Sequence, residues 1–290
     1  LKAPWKDNGV PLLAVPTTAG TGSESTPFAV LYKDGEKISV EDESIYPLIR
    51  VEDARSLRTL PLFQKKACLL DALSHAMESI WSKASEGDNL YYGKEAIERI
   101  LRYSDAYLEG EEEALKEIAY AANLAGKAIA ITRTTGGHAL SYKLGSLFRL
   151  PHGLATAMVN KELYPVSVSH LRPEEENFRT LAHCLGAKDI EDGVIAYRAF
   201  LDKMDILPKE TQFFLENLDK KVLEEGIRKM EKEGTLPKDL QTEIPEAEEA
   251  LLEKAVVLLV HSVNQERMKN HPVTLSEKEL DTLYRKILCM

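Results

Sequence analysis

The stretch that most constrains this chain is KKACLLDALSHAMESIWS, residues 65–82. It has no Gly or Pro and is built mostly of good helix formers, so it reads as one long helix. At about 100° per residue, Asp71, His75, Glu78 and Ser82 share one narrow stripe. Leu69, Leu70, Leu73, Ala76, Met77, Ile80 and Trp81 cover the rest. Apolar side chains around more than half of a helix place it deep in a core. The stripe is also unusual in charge: residues 67–82 contain no Lys or Arg, whereas a solvated face ordinarily mixes both signs. Asp71 and His75 stand four apart, with Cβ atoms about 6 Å from each other, close enough to grip one metal ion. An Asp/His pair on a wet helix face satisfies the same spacing, which by itself does not separate the two readings.

At 290 residues the chain can bury a large core and is expected to form two domains. A net charge of −10 argues against nucleic acid or an anionic membrane as the main partner. No apolar run approaches the roughly 18 residues of a membrane span, and no signal peptide is visible. Cys68, Cys184 and Cys289 are scattered without metal-ligand spacing and read as free thiols in a reducing, cytoplasmic compartment.

In chain order, VPLLAV at 10–15 reads as a buried strand closed by Pro16. PTTAGTGSEST follows, a turn with two Gly and six hydroxyls that suits a phosphate or pyrophosphate. It matches neither the Rossmann fingerprint nor a Walker loop, and a plain strand-to-loop connection explains it equally. Residues 28–32 and 37–40, joined by Asp34-Gly35, read as a hairpin. YPLIRVE at 46–52 is the last expected strand. Helices are expected at 64–82, 89–108, 113–132, 138–148, 153–162, 174–185, 190–204, 219–233, 247–264 and 276–288. TLSEK at 274–278 reads as a capped helix start. The fold class expected is thus a small α/β piece at 1–60 followed by an all-helical domain at 61–290.

A second metal-like cluster lies further on. Gly136-Gly137 precedes His138, and Leu150-Pro151-His152-Gly153 reads as a tight turn opening a helix. A His in a first helical turn is biased towards neutral imidazole, the form a metal needs. A His flanked by Gly is equally at home in a purely structural role. Asp71, His75, His138 and His152 together offer a carboxylate and three imidazoles, a set that suits iron or zinc. His170, His183, His261 and His271 lie in surface-like contexts.

PTTAGTGSE, DALSHAMES and GHALSYKLGSLFRLPHG, in this order, resemble the iron-containing (group III) alcohol dehydrogenase family, as does HPVTLSEKELDTLYRKI near the C-terminus. The resemblance runs from about Val10 to the end. It implies the dehydroquinate synthase-like superfold, with 1–60 the last part of a dinucleotide-binding domain. The implied metal ligands are Asp71, His75, His138 and His152, holding Fe(II) or Zn as a Lewis acid that polarises an aldehyde for hydride transfer from NAD(P)H. Thr17, Thr18, Gly20 and Gly22 match the family's contact with the cofactor, joined by Lys37 and Thr26. The implied partner is a small aldehyde or alcohol, with a homodimer left open.

Two departures from the family pattern matter. Family members carry about a hundred residues before the point where this chain begins, including their pyrophosphate loop, so this stretch is expected to hold the metal set and half a cofactor site. Many members also have a His four residues after the third ligand, where this chain has Tyr142, which cannot shuttle protons near neutral pH. HALSYKL and LVHSVNQERMKNHPV resemble the phosphonoacetaldehyde reductase branch. An anionic substrate needs a local cation, and Lys143 and Arg149 are the candidates nearest to the ligands in sequence. A lyase or cyclase of the dehydroquinate synthase type, or a truncated, non-catalytic metal-binding chain, are the alternatives.

Overall fold

The computed structural model describes residues 9–33, 36–171, 175–237 and 242–290, the side chains of 32–39 excepted. The strand piece comes first and is slight. β1 (Leu13–Ala14) pairs in parallel with β4 (Ile49–Arg50), while β2 (Phe28–Lys33) and β3 (Glu36–Glu41) form an antiparallel ladder with Phe28 opposite Glu41. The hairpin covers the strands expected at 28–32 and 37–40; its expected Asp34-Gly35 turn lies outside the described residues. The expected strands at 10–15 and 46–52 shrink to two residues each. Pro11, Pro16 and Pro47 explain this, since each removes a backbone donor and fixes φ beside the short ladder.

Among the described residues, every element after residue 61 is a helix. The first three helices are α1 (Leu62–Trp81), α2 (Asp88–Glu109) and α3 (Glu112–Thr132), and these pack against one another. Next come α4 (Gly136–Leu147), α5 (His152–Ser169), α6 (Glu176–Cys184) and α7 (Ile190–Met204). The chain ends with α8 (Thr211–Asn217), α9 (Lys220–Glu233), α10 (Glu248–His261), α11 (Gln265–Met268) and α12 (Glu277–Ile287). Two of these, α8 and α11, had no expectation behind them: both are shorter than the periodicity can register. α5 runs well past its expected end at 162, carrying Pro165 inside it. The capped start before α12 is present in full: Ser276 accepts from the Glu279 N–H, and Glu279 reaches back to the Ser276 N–H at 2.8 Å.

The helices enclose two apolar clusters. One is built on Leu69, Leu73, Ile80 and Trp81 of α1 with partners from α2, α3, α6 and α7. The other joins Leu140 and Leu144 of α4 to α9, α10 and α12. α5 belongs to both, with Ala157 and Tyr164 in the first and Met158 and Val159 in the second, so it is apolar on nearly all sides and serves as the shared wall. The seam between the clusters, where α1 meets α4 and α5, carries the polar stripe of α1.

The loop after β1 is fastened to this helical body by close backbone contact. A Cβ on Gly22, which has φ +57°, would stand 2.5 Å from Gly126 Cα of α3. Only glycine on both sides allows that approach. Beside it Asn123 of α3 donates to Glu24 Oε1 at 2.8 Å and to Ser25 Oγ at 2.6 Å, and Arg50 donates to Asn123 Oδ1 at 2.6 Å. No helix among the described residues is long and apolar enough to cross a membrane.

Candidate functional site

Three of the four grouped side chains converge at the seam. Ligand atoms of Asp71, His138 and His152 all lie within 4.8 Å of one another, with Asp71 Oδ1 3.9 Å from Nε2 of each histidine. The convergence has a local cause. His152 opens α5, and the next residue is Gly153, where a Cβ would meet the Ala67 carbonyl oxygen at 2.1 Å and Asp71 Cβ at 2.7 Å. Glycine therefore lets the start of α5 lie directly on α1, one residue from the His that must face Asp71. His75 stands outside the tight group of three but flanks it, its ring stacked on that of His138 at 4.6 Å and 19°.

The donor set fits a divalent ion. Asp71 Oδ1, His138 Nε2 and His75 Nδ1 are buried without a hydrogen-bond partner, an arrangement that costs about 1–3 kcal/mol per group unless something else satisfies it. Ligand bonds of about 2.0–2.2 Å place neighbouring donors on a tetrahedral ion about 3.4 Å apart, so separations of 3.9 Å need only a slight contraction. Asp71, His75 and His138 are buried, whereas the His152 side chain is 39% exposed and marks the open side of the site.

Glu78 is the residue whose role the sequence concealed. It lies on the same stripe of α1, is fully buried, and its Oε1 stands 2.6 Å from His138 Nδ1. Its Oε2 accepts from the Thr135 N–H at 2.6 Å and the Thr135 hydroxyl at 2.9 Å, at the N-terminus of α4. The helix dipole there favours a carboxylate. Burial alone would raise the Glu78 carboxyl, but the His138 ring and the Thr135 donors outweigh it and hold it down to about 2. Burial, ahead of other influences, pushes the His138 imidazole down to about 4, against the pull of Glu78. At neutral pH the pair is a carboxylate and a neutral ring with its proton on Nδ1, so Nε2 turns its lone pair towards Asp71. Trp81 completes the support by donating to Thr135 Oγ1 at 2.7 Å. The last stripe residue, Ser82, donates to Asn270, which in turn donates to the Thr132 and Thr134 carbonyls at 2.6 and 3.3 Å. The carboxylate on the stripe, three residues past His75, was the signal available in the sequence.

Of the cofactor candidates, Gly20 and Gly22 are buried and packed on helices: a Cβ on Gly20 would stand 2.9 Å from the Cys68 carbonyl, one turn before Asp71 on α1. Thr17 is exposed and Thr18 half-buried on the same loop. Thr26 is buried and donates to the Ser23 carbonyl at 3.4 Å. Lys37 pairs with Tyr32 in the hairpin register, and its side chain lies outside the described residues.

Among the substrate candidates, Tyr142 is at the site, stacked on His152 at 5.9 Å and 13°, and burial pushes its phenol above the ordinary range. Arg149 is turned elsewhere: its guanidinium contacts Asp219 at 3.0 Å, its side chain is 68% exposed, and its backbone is left-handed at φ 52°. Lys143 is half-buried on α4. His271, expected near the surface, is fully buried beneath Trp81 and Gly136, with Nε2 3.0 Å from Ser167 Oγ; its burial there follows from Asn270 pinning the segment to the loop before α4.

Comparison with known proteins bears on the same segments. Residues 66–256 match the family model for the C-terminal part of the Fe-containing alcohol dehydrogenase family, and residues 1–54 match that for iron-containing alcohol dehydrogenase. The bifunctional aldehyde-alcohol dehydrogenase of Escherichia coli (strain K12) is 38% identical over 160 residues, which cover 51% of this chain and 17% of that protein. The NAD-dependent methanol dehydrogenase of Bacillus methanolicus is 32% identical over 185 residues, 61% of this chain and 47% of that protein. The solved structure of an iron-containing alcohol dehydrogenase from Thermotoga maritima superposes with a TM-score of 0.70 at 26% identity, covering 97% of this chain and 64% of that one. The chain thus spans under half the length of these two curated relatives, and just under two thirds of the solved one. On the match over 66–256, the chain belongs to the iron-containing alcohol dehydrogenase family.

Proposed function

We propose that this chain is the catalytic part of a metal-dependent, NAD(P)-linked aldehyde reductase or alcohol dehydrogenase. In this reading residues 1–60 end a dinucleotide-binding domain and 61–290 form the metal-binding domain. The observation that carries the reading is the converging Asp71–His138–His152 group, its Asp71 and His138 buried with one unpartnered donor atom each and the His138 tautomer set by Glu78. His75, stacked beside His138, is the fourth ligand.

A divalent iron or zinc ion held there would act as a Lewis acid on a carbonyl oxygen, and the nicotinamide would supply hydride. The chain's own residues do the rest. Asp71 and the three imidazoles would bind the ion, the Asp71 carboxylate cancelling part of its charge. Glu78 keeps the proton of His138 on Nδ1, away from the ion. The apolar walls of α1 and α5 exclude water from the buried side, and the exposed flank at His152 admits the substrate. The loop with Thr17, Thr18, Gly20 and Gly22 docks on α1 one turn from Asp71, which supports a role in holding the nicotinamide end of the cofactor. Tyr142, its phenol held above the ordinary range, keeps its proton at neutral pH and serves as wall rather than as proton carrier. The resemblance of HALSYKL to the phosphonoacetaldehyde reductase branch points to a small aldehyde with an anionic head as substrate.

The test is a full-length protein loaded with Fe(II) or Zn and assayed for NADH and NADPH consumption with phosphonoacetaldehyde and with butanal. Consumption with either aldehyde, lost on chelation, is the expected result. No consumption with any aldehyde at full metal loading would overturn the reading.

A further inference from the structure

We propose that Arg267, on the short helix α11, anchors the anionic end of the substrate. The inference rests on the aldehyde reductase reading above and names the residue that selects among aldehydes at that site. The guanidinium lies over the Tyr142 ring with Cζ 5.4 Å from its centroid, and it donates to Thr134 Oγ1 at 2.5 Å. Tyr142 in turn stacks on His152, the exposed member of the metal group, so a single ring links the cation to that side of the site.

Helix geometry disfavours the two cations nearest in sequence. Lys143 is five residues past His138, about 140° further round α4, whereas Tyr142 at four residues shares the His138 face. Arg149 contacts Asp219 at the start of α9. Arg267 comes instead from the far end of the chain, on a segment held at both ends. Asn264 caps α11 by accepting from the Arg267 N–H at 3.1 Å, and three residues after Arg267 Asn270 is tied to the loop before α4. A guanidinium beside the site favours an anionic head group over a neutral chain. A planar guanidinium also suits the paired oxygens of a phosphonate, sulfonate or carboxylate.

The test uses Arg267→Met, which keeps the apolar stem over Tyr142, and Arg267→Lys, which keeps the charge without the fork. On the full-length holoenzyme, kcat/KM for phosphonoacetaldehyde is expected to fall about 10- to 150-fold in Arg267→Met, with butanal within about threefold of the parent. Arg267→Lys is expected to recover part of that loss. Calorimetric binding of phosphonoacetate, a probe needing no turnover, is expected to weaken by a similar factor. Equal losses on both aldehydes, or phosphonoacetate binding unaffected by Arg267→Met, would overturn the anchor. Arg267-dependent phosphonoacetate binding without turnover of any aldehyde would keep the anchor and remove the reductase reading instead.

Discussion

The strand piece and the helical seam hold side chains in opposite ways. Around β1 and β4 the apolar side chains face outwards: Val10, Leu12, Leu13, Leu48 and Ile49 are all exposed, and the two-residue ladder has exposed positions on both strands. At the seam even the charged and polar groups of α1 are buried, Glu78 completely. The difference shows where precision resides. The groups proposed to hold an ion sit on three mutually packed helices, with glycine at the contacts of α4 and α5. The strand piece contributes a loop, fixed to the helices by Gly20 and Gly22, rather than a core of its own.

The largest effect should come from striking the seam at a ligand. For His138→Ala, metal measured by plasma mass spectrometry after desalting is expected to fall from about one ion per chain to below about a tenth. Retention at the parent level would show that the seam is not the metal centre. Next in size is Glu78→Gln, which keeps an acceptor near His138 Nδ1 but loses the charge. Competition with a chelator should show metal bound about 10- to 100-fold more weakly, as is usual when the partner of a ligating His is altered. Unchanged affinity would mean that His138 is oriented by packing alone.

A smaller effect is expected from His271, buried behind the same seam. Burial, ahead of all else, pushes its imidazole down to about 4, below the ordinary value near 6.5. The folded state therefore resists the proton that the unfolded chain accepts. Stability is complete above about pH 6.5 and is lost as pH falls from there towards 4, at up to about 1.4 kcal/mol per pH unit. Urea unfolding of the metal-free protein at pH 7, 6 and 5 should show a shallower decline in His271→Phe than in the parent; equal slopes would assign the acid sensitivity to other groups. The smallest effect belongs to the strand piece. Leu48 is 73% exposed, and Leu48→Ser should change unfolding free energy by no more than about 0.5 kcal/mol. A loss of several kcal/mol would show that this face is covered in solution and that the contrast between the two regions is false.

Much of the helical body was legible from the chain itself, because a helix writes its period into adjacent turns. The expected helix at 190–204 coincides with α7, and the stripe of Asp71, His75, Glu78 and Ser82 is buried along its length. The strands were less legible, since Pro11, Pro16 and Pro47 shortened ladders that hydrophobicity alone extended.

What the sequence by itself determined is the local chemistry: a long apolar helix bearing one anionic stripe, two histidines set beside glycines, and a hydroxyl-rich turn. Period, propensity and composition act over a few residues, so each of these survives reading in isolation. Only the tertiary structure decided which partners those groups meet. Glu78 reaches His138 across 60 residues, His271 reaches Ser167 across 104, and Arg267 reaches Thr134 across 133. No local period encodes such pairs; they exist because α5 joins two apolar clusters into one body, and burial there leaves each polar group only the partner that packing brings to it.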